Sequence, residues 1–230
     1  MNKLSIIVPC YNEEKTILSV INEIGQYTSE DKEIIIVDDG STDETKNILK
    51  RISQENIKIF YHDQNYGKGK AIRTGIHKAT GDIILIQDAD MEYSPKDYPA
   101  LLRPFNEAGA DVVYGSRFLG GAGYVRLHFY FHFIANKLLT HFCNLFTNLN
   151  MTDMETGYKV FKKSVLLNLD LKENSFGIEP EITIKLAKKK LKFYEVPVSY
   201  AGRSYEEGKK IRLKDAFIAL YCIIKYSFTN

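Results

Sequence analysis

The chain has 230 residues, 44% of them hydrophobic and 26% charged, which suits one soluble domain with a sizeable core. Lys and Arg number 31 against 29 Asp and Glu, so a net charge of +2 supplies no broad field for nucleic acid. Three widely spaced cysteines, Cys10, Cys143 and Cys222, exclude a disulfide framework or cysteine zinc site and fit buried thiols in a reducing compartment.

Met1 runs within three residues into LSIIVPCYN at 4–12, which predicts a strand ending in turn-forming polar residues and no secretory leader before it. Apolar spacing predicts a helix over 13–27, and the pair recurs as EIIIVDDGS at 33–41 followed by a helix over 43–54. Further strands are expected at 57–62, 82–90 and 111–118, with helices over 67–80 and 95–109 between them. Near-continuous apolar strands alternating with helices predict an α/β fold: a doubly wound, mostly parallel sheet with helices on both faces. Ligands of such sheets bind outside the carboxyl ends of the strands, where VPCYNE, VDDGS and QDADME all fall.

In QDADMEY, residues 87–93, the two-residue period of extended chain puts Asp88 and Asp90 on one side with Ala89 between them, and Glu92 can follow. Like charges so placed repel unless a cation joins them, and hard oxygen donors suit Mg²⁺ or Mn²⁺ shared with substrate phosphates. At the neighbouring strand exits Tyr11 offers a ring to a base, Asp39 accepts hydrogen bonds from base or ribose, and Pro9 fixes the chain. Ser41 and Asp43 read as helix caps. Gly67, Lys68, Gly69 and Lys70 ahead of a helix have the composition of a phosphate cradle. The full P-loop spacing is missing and no G-x-G-x-x-G follows the first strand, which removes an NTPase reading and the main support for a dinucleotide oxidoreductase.

SIIVPCYNEEKTI, IIIVDDGSTDET, NYGKGKAIRTG, DIILIQDADMEYSP, VVYGSRF, TDMETGYKVF and GRSYEEGKK together resemble, in order and spacing, the family 2 glycosyltransferases. The resemblance is closest to the branch of dolichyl-phosphate mannose and glucose synthases and bacterial polyprenyl-phosphate glycosyltransferases. It implies a GT-A domain over 1–210, a UDP- or GDP-sugar donor, a divalent metal and inversion at the anomeric carbon. By matching position it implies Pro9, Tyr11, Glu13 and Asp39 for the nucleoside, Asp88, Ala89 and Asp90 for diphosphate and metal, and Arg117 and Arg126 for donor and acceptor phosphates. Arg203 and Lys209 match a segment that closes over the diphosphate. TDMETGYK matches a segment near sugar and acceptor, in which Asp153 is the expected base or substrate orienter. Glu155 stands where polyprenyl-phosphate enzymes more usually carry a neutral residue, and it joins Glu179, at the start of a later helix, as an acceptor-side candidate.

The acceptor is read from two apolar stripes. Phe131, Ile134, Leu138, Phe142, Leu145 and Leu149 recur at helical spacing, as do Phe217, Leu220, Tyr221, Ile224 and Phe228 in an amphipathic helix over 211–230 with Lys210, Arg212, Lys214 and Lys225 nearby. Aromatic and basic residues together favour an anionic bilayer surface. The longest apolar run, AFIALYCII, has nine residues, about half of a bilayer crossing. The expectation is a cytoplasmic enzyme, peripheral on the inner face of the cytoplasmic membrane, that moves a hexose to a lipid acceptor, polyprenyl phosphate first. Diacylglycerol or a growing glycan is the hydroxyl alternative, and a sugar-nucleotide-binding or partner-binding module without turnover is the non-enzyme one. Oligomeric state is not legible, because an apolar helix face suits a bilayer or a second subunit.

Overall fold

A computed structural model describes residues 3–27, 31–121, 126, 129–204, 206 and 213–229. Among them β1 (Leu4–Cys10), β2 (Lys32–Asp38), β3 (Ile57–Tyr61), β4 (Ile83–Ile86), β5 (Val112–Ser116), β6 (Lys159–Lys162) and β7 (Phe193–Pro197) form one sheet in the order β3-β2-β1-β4-β6-β5-β7. Only β6 runs antiparallel to its neighbours, β4 and β5. The helices are α1 (Ile17–Tyr27), α2 (Thr45–Leu49), α3 (Lys68–Lys78), α4 (Tyr98–Glu107), α5 (Tyr130–Thr147), α6 (Lys163–Leu166), α7 (Ile178–Ala187) and α8 (Leu213–Phe228).

Alternation along the strands feeds two core layers. Ile6, Val8, Ile34, Ile36 and Leu85 pack on one face against Ile17, Val20 and Ile24 of α1 and Leu101 and Phe105 of α4. On the other, Ile7, Ile35, Val37, Ile84 and Ile86 pack with Ile72 and Ile76 of α3, Ile178 and Ile182 of α7, and Cys222, Ile223 and Tyr226 of α8. With both faces covered, the central strands are free to be apolar along their length. The boundary expected at 210/211 lies outside the described residues, and α8 contributes to the second core layer.

Several local expectations are revised. The helix over 43–54 contracts to α2, the strand over 82–90 to β4, and the stretch from 95 opens as a 3₁₀ turn, Pro95–Asp97, before α4. β6 was not expected, since its four residues are too few to show a period. Because β6 is antiparallel, with Lys159 opposite Ile86 and Tyr114, the segment leading into it emerges at the carboxyl ends of β4 and β5. This brings residues 153–157 to the polar rim where β1, β2 and β4 also end.

Candidate active site

The strand exits surround a cavity of about 620 Å³. Following the sheet order, its wall runs from Asp39 after β2, through Pro9 at the end of β1 and Tyr11 and Glu13 after it, to Asp88, Ala89 and Asp90 after β4. Glu155 and Gly157 ahead of β6 and Arg117 after β5 come next, with Lys68 and Glu179 from the starts of α3 and α7. Tyr200, Arg203, Lys214 and Asp215 also line the cavity.

At the first end Asp39 is 2% exposed and accepts three hydrogen bonds. Its Oδ1 accepts from His62 Nδ1 at 2.6 Å and Tyr66 N at 3.1 Å, and its Oδ2 from Gly67 N at 2.7 Å. Gly67 has φ 103°, and a Cβ there would strike the carbonyl of Asn174, so only glycine lets the start of α3 close on Asp39. Lys68, the next residue, extends its ammonium between Asp88 Oδ1 at 2.8 Å and Glu179 Oε1 at 3.0 Å. Burial works against that charge, but the two carboxylates hold its pKa well above the ordinary lysine range.

Asp88 and Asp90 share the cavity floor. Burial, then the charges of Asp88 and Glu92, push the Asp90 carboxyl up to about 7. Among the described residues no three His, Cys, Asp or Glu side chains are grouped to hold a metal. Two mutually repelling carboxylates facing an open cavity fit a hard divalent ion that takes its other ligands from a diphosphate and water. Glu92, the expected third ligand, is committed elsewhere: Oε2 accepts from Tyr200 OH at 2.8 Å and Oε1 from Arg203 N at 2.7 Å.

Those bonds fasten the 200–203 segment over the floor. Arg203 donates to both oxygens of Glu13, at 3.0 and 3.1 Å, and to Asp90 Oδ2 at 3.2 Å, while its Nε has no hydrogen-bond partner. Glu13, expected at the nucleoside, therefore holds Arg203. Arg126 is exposed and absent from the cavity wall; its Nη1 donates to Gly202 O of the same segment at 3.1 Å. Lys209 lies outside the described residues.

Asp153 is also placed differently from expectation. It is fully buried, is absent from the cavity wall, and accepts from Arg117 Nε and Nη2 at 2.6 Å each and from Arg117 N at 3.1 Å. A carboxylate held in that way orients the guanidinium and has no path to a substrate proton. Arg117 itself lies 5.0 Å from the Tyr200 ring centroid and lines the cavity. From the same segment it is Glu155 that reaches the cavity, its carboxyl pushed up to about 7 by burial and then by Glu179. Lys159 lies behind it, 1% exposed, donating to the carbonyls of Met154 and Thr156 on either side of Glu155. Burial lowers this lysine to about 8. His62 and Lys159 escaped the sequence reading, since neither lies in a spacing that announces its partner.

With this geometry in view, the family model for glycosyl transferase family 2 matches residues 5–169. The chain belongs to glycosyl transferase family 2. Two of its relatives are named for transfer to polyprenyl phosphates. It is 29% identical to the undecaprenyl-phosphate 4-deoxy-4-formamido-L-arabinose transferase of Enterobacter sp. (strain 638), matching 91% of this chain and 63% of that one. The chain thus spans somewhat less than two thirds of that relative. It is also 29% identical to the UDP-N-acetylglucosamine–dolichyl-phosphate N-acetylglucosaminyltransferase of Methanococcus voltae, over 95% of this chain and 94% of that one. A solved glucosyl-3-phosphoglycerate synthase from Mycobacterium tuberculosis, in complex with Mn²⁺, UDP and phosphoglyceric acid, superposes with a TM-score of 0.75 at 20% identity, covering all of this chain and 80% of that one. The fold is GT-A and the family 2 chain is a glycosyltransferase.

Proposed function

We propose that this glycosyltransferase moves a hexose from a UDP- or GDP-sugar to polyprenyl phosphate at a membrane surface, with inversion at the anomeric carbon. The observation that carries the reading is one cavity that joins a paired-carboxylate floor to the start of an apolar-faced helix. Lys214 and Asp215, in the first turn of α8, line the cavity, and the same helix leaves Phe217, Tyr221, Ile224 and Phe228 exposed. α5 adds Tyr130, Phe131, Leu138 and Leu145, and Phe146 meets Phe228 edge-on at 5.9 Å, so the two helices present a continuous apolar face. An exposed apolar face beside a polar active site suits an enzyme that takes its acceptor from a bilayer. No helix among the described residues is long and apolar enough to cross one.

In this reading Tyr11, Pro9 and Asp39 form the nucleoside wall, and Asp88 and Asp90 would hold Mg²⁺ or Mn²⁺. The ion, when bound, neutralises charge that develops on the leaving diphosphate. Arg203 and Lys68, both on the cavity wall, would supply further positive charge on that side. An acceptor phosphate is anionic near neutral pH, so its oxygen attacks C1 directly while the bond from C1 to the diphosphate oxygen breaks, and no general base is needed. Arg117, held by Asp153, orients that phosphate. The relatives' names, a UDP-N-acetylglucosamine donor in one and undecaprenyl and dolichyl phosphate acceptors between them, support donor and acceptor classes of this kind.

The test is mass spectrometry of lipids extracted after incubation with a mixture of polyprenyl phosphate and diacylglycerol, UDP- and GDP-sugars, and Mg²⁺ or Mn²⁺. Hexose added to polyprenyl phosphate is expected. Sugar found only on diacylglycerol refutes the phosphate acceptor, and no turnover from any donor refutes the reading as a whole.

A further inference from the structure

We propose that Lys137 and Glu195 are positioning residues for Arg117, which they hold through the Thr152–Asp153 segment although neither lines the cavity. This rests on the reading above, in which Arg117 orients the acceptor phosphate. Asp153 fixes the guanidinium, so whatever fixes Asp153 sets the acceptor side of the site as well. Residues 151–156 form neither helix nor strand, and no backbone ladder locates them. Side chains do it instead.

Thr152, the residue before Asp153, has each of its polar atoms taken by a side chain from a different element. Its N–H donates to the carboxylate of Glu195 on β7, at 2.9 Å to either oxygen. Its carbonyl accepts from Lys137 Nζ on α5 at 3.1 Å, and its hydroxyl is hydrogen-bonded to Ser116 Oγ of β5 at 2.5 Å. Asp153 N adds a bond to Glu195 Oε1 at 3.2 Å. The bonds from Lys137 and to Glu195 each involve a full charge, which makes them stronger than bonds between neutral groups. With its N–H and carbonyl tied to opposite charges on separate elements, Thr152 is held against rotation, and the direction in which Asp153 leaves it is set.

The two segments meet residue by residue. Ser116 binds Thr152, Arg117 binds Asp153 through its main-chain N as well as its guanidinium, and Phe118 meets the Lys137 ammonium, 4.2 Å from its ring centroid. The Arg117 guanidinium lies 5.5 Å from the same centroid, so one ring touches both cations. Lys137 therefore grips the strand exit on both sides of the pair it positions, through Thr152 O and through Phe118. Loss of either charge frees the segment by a fraction of an ångström or more, and a displacement of about 1 Å in a substrate-positioning group is enough to lower a rate by up to about a hundredfold.

Steady-state transfer to polyprenyl phosphate, with calorimetric dissociation constants for UDP and GDP in the presence of Mn²⁺, tests this. Lys137→Met and Glu195→Ala are each expected to lower kcat about tenfold while the affinity for the bare nucleotide stays within about twofold. Lys137→Arg keeps a charged donor and Glu195→Gln keeps an acceptor oxygen, so each is expected to recover most of the loss. In an Asp153→Asn background, where the guanidinium is already released, Lys137→Met and Glu195→Ala are expected to cost less than about twofold more. Losses that multiply in that background overturn the proposal, because they would not pass through Asp153, and so does an unchanged kcat in the folded single variants. If Glu195→Ala fails to fold by circular dichroism, the half-buried Lys137 and its two variants decide alone. A wild type that binds nucleotide but transfers nothing to polyprenyl phosphate overturns the acceptor reading, and the proposal with it.

Discussion

Arg117 and Asp153 act as a unit, because two parallel hydrogen bonds of 2.6 Å fix the guanidinium plane as well as its position. Arg117→Ala and Asp153→Asn are therefore each expected to lower kcat about a hundredfold, with the double variant no worse than either, the behaviour of coupled neighbours. Additive losses would return Asp153 to an independent role as base. Asp90→Asn is expected to reduce transfer about a thousandfold by weakening the hold on the metal, with an unchanged far-UV spectrum, and EDTA should do the same to the wild type. Asp88 and Asp90 reach the cavity because they follow a buried strand, a local signal, although β4 ends at Ile86 and Ala89 and Asp90 lie in a turn, so the period of extended chain is not what brings them together. The commitment of Glu92 to Tyr200 and Arg203, 108 and 111 residues away, is tertiary and left no such mark. The same holds for His62, whose carboxylate partner is 23 residues back.

Helix direction was harder to read than helix existence. The stripe read in α5 divides once packed: Phe131, Leu138 and Leu145, seven residues apart, are exposed, while Ile134 and Phe142 are partly covered. Thr140 and Cys143 take the fully buried positions. Apolar residues occur on both sides of this helix, so periodicity could not say which side met α7 and α8. β6 was missed for the opposite reason, being a strand of four residues inside a stretch dominated by motif chemistry. The exposed face carries its own prediction. Phe217→Ser with Phe228→Ser removes two rings that are 66% and 79% exposed, so folding should be unaffected. Partial loss of burial for two aromatic rings, about 1–2 kcal/mol, is expected to weaken binding to anionic liposomes about tenfold and to lower lipid glycosylation, while affinity for UDP or GDP holds. Unchanged flotation with liposomes would reject the membrane face.

The sheet has two polar ends with opposite physics. At the carboxyl ends Asp88, Asp90, Glu155 and Glu179 line one cavity, and Glu155 Oε1 and Glu179 Oε2 have no hydrogen-bond partner. Near the amino end Glu33 is fully satisfied: Oε1 accepts from Ser5 Oγ at 2.6 Å, Thr80 N at 2.5 Å and Thr80 Oγ1 at 2.8 Å, and Oε2 accepts from Lys58 Nζ at 2.8 Å. One carboxylate thereby ties β2 to β1, to β3 and to the turn entering β4. Burial alone would raise its pKa, but these bonds bring it from 4.5 down to about 2. A depressed carboxylate contributes stability that is fully present above its unfolded value and is lost as pH falls through its folded one, so the contribution fades from about pH 4.5 toward pH 2. Glu33→Gln keeps the shape and removes the charge. It is expected to cost about 1–3 kcal/mol at pH 7 and to converge on the wild type as pH falls through this window, while nucleotide affinity at the far end of the sheet is unchanged. Urea midpoints of both proteins at pH 7, 5, 4 and 3 measure the difference directly, with other titrating groups cancelling between them. Parallel stability curves would mean that the charge of Glu33 does not hold the strands, and that the apolar layers alone keep β1, β2 and β3 in register.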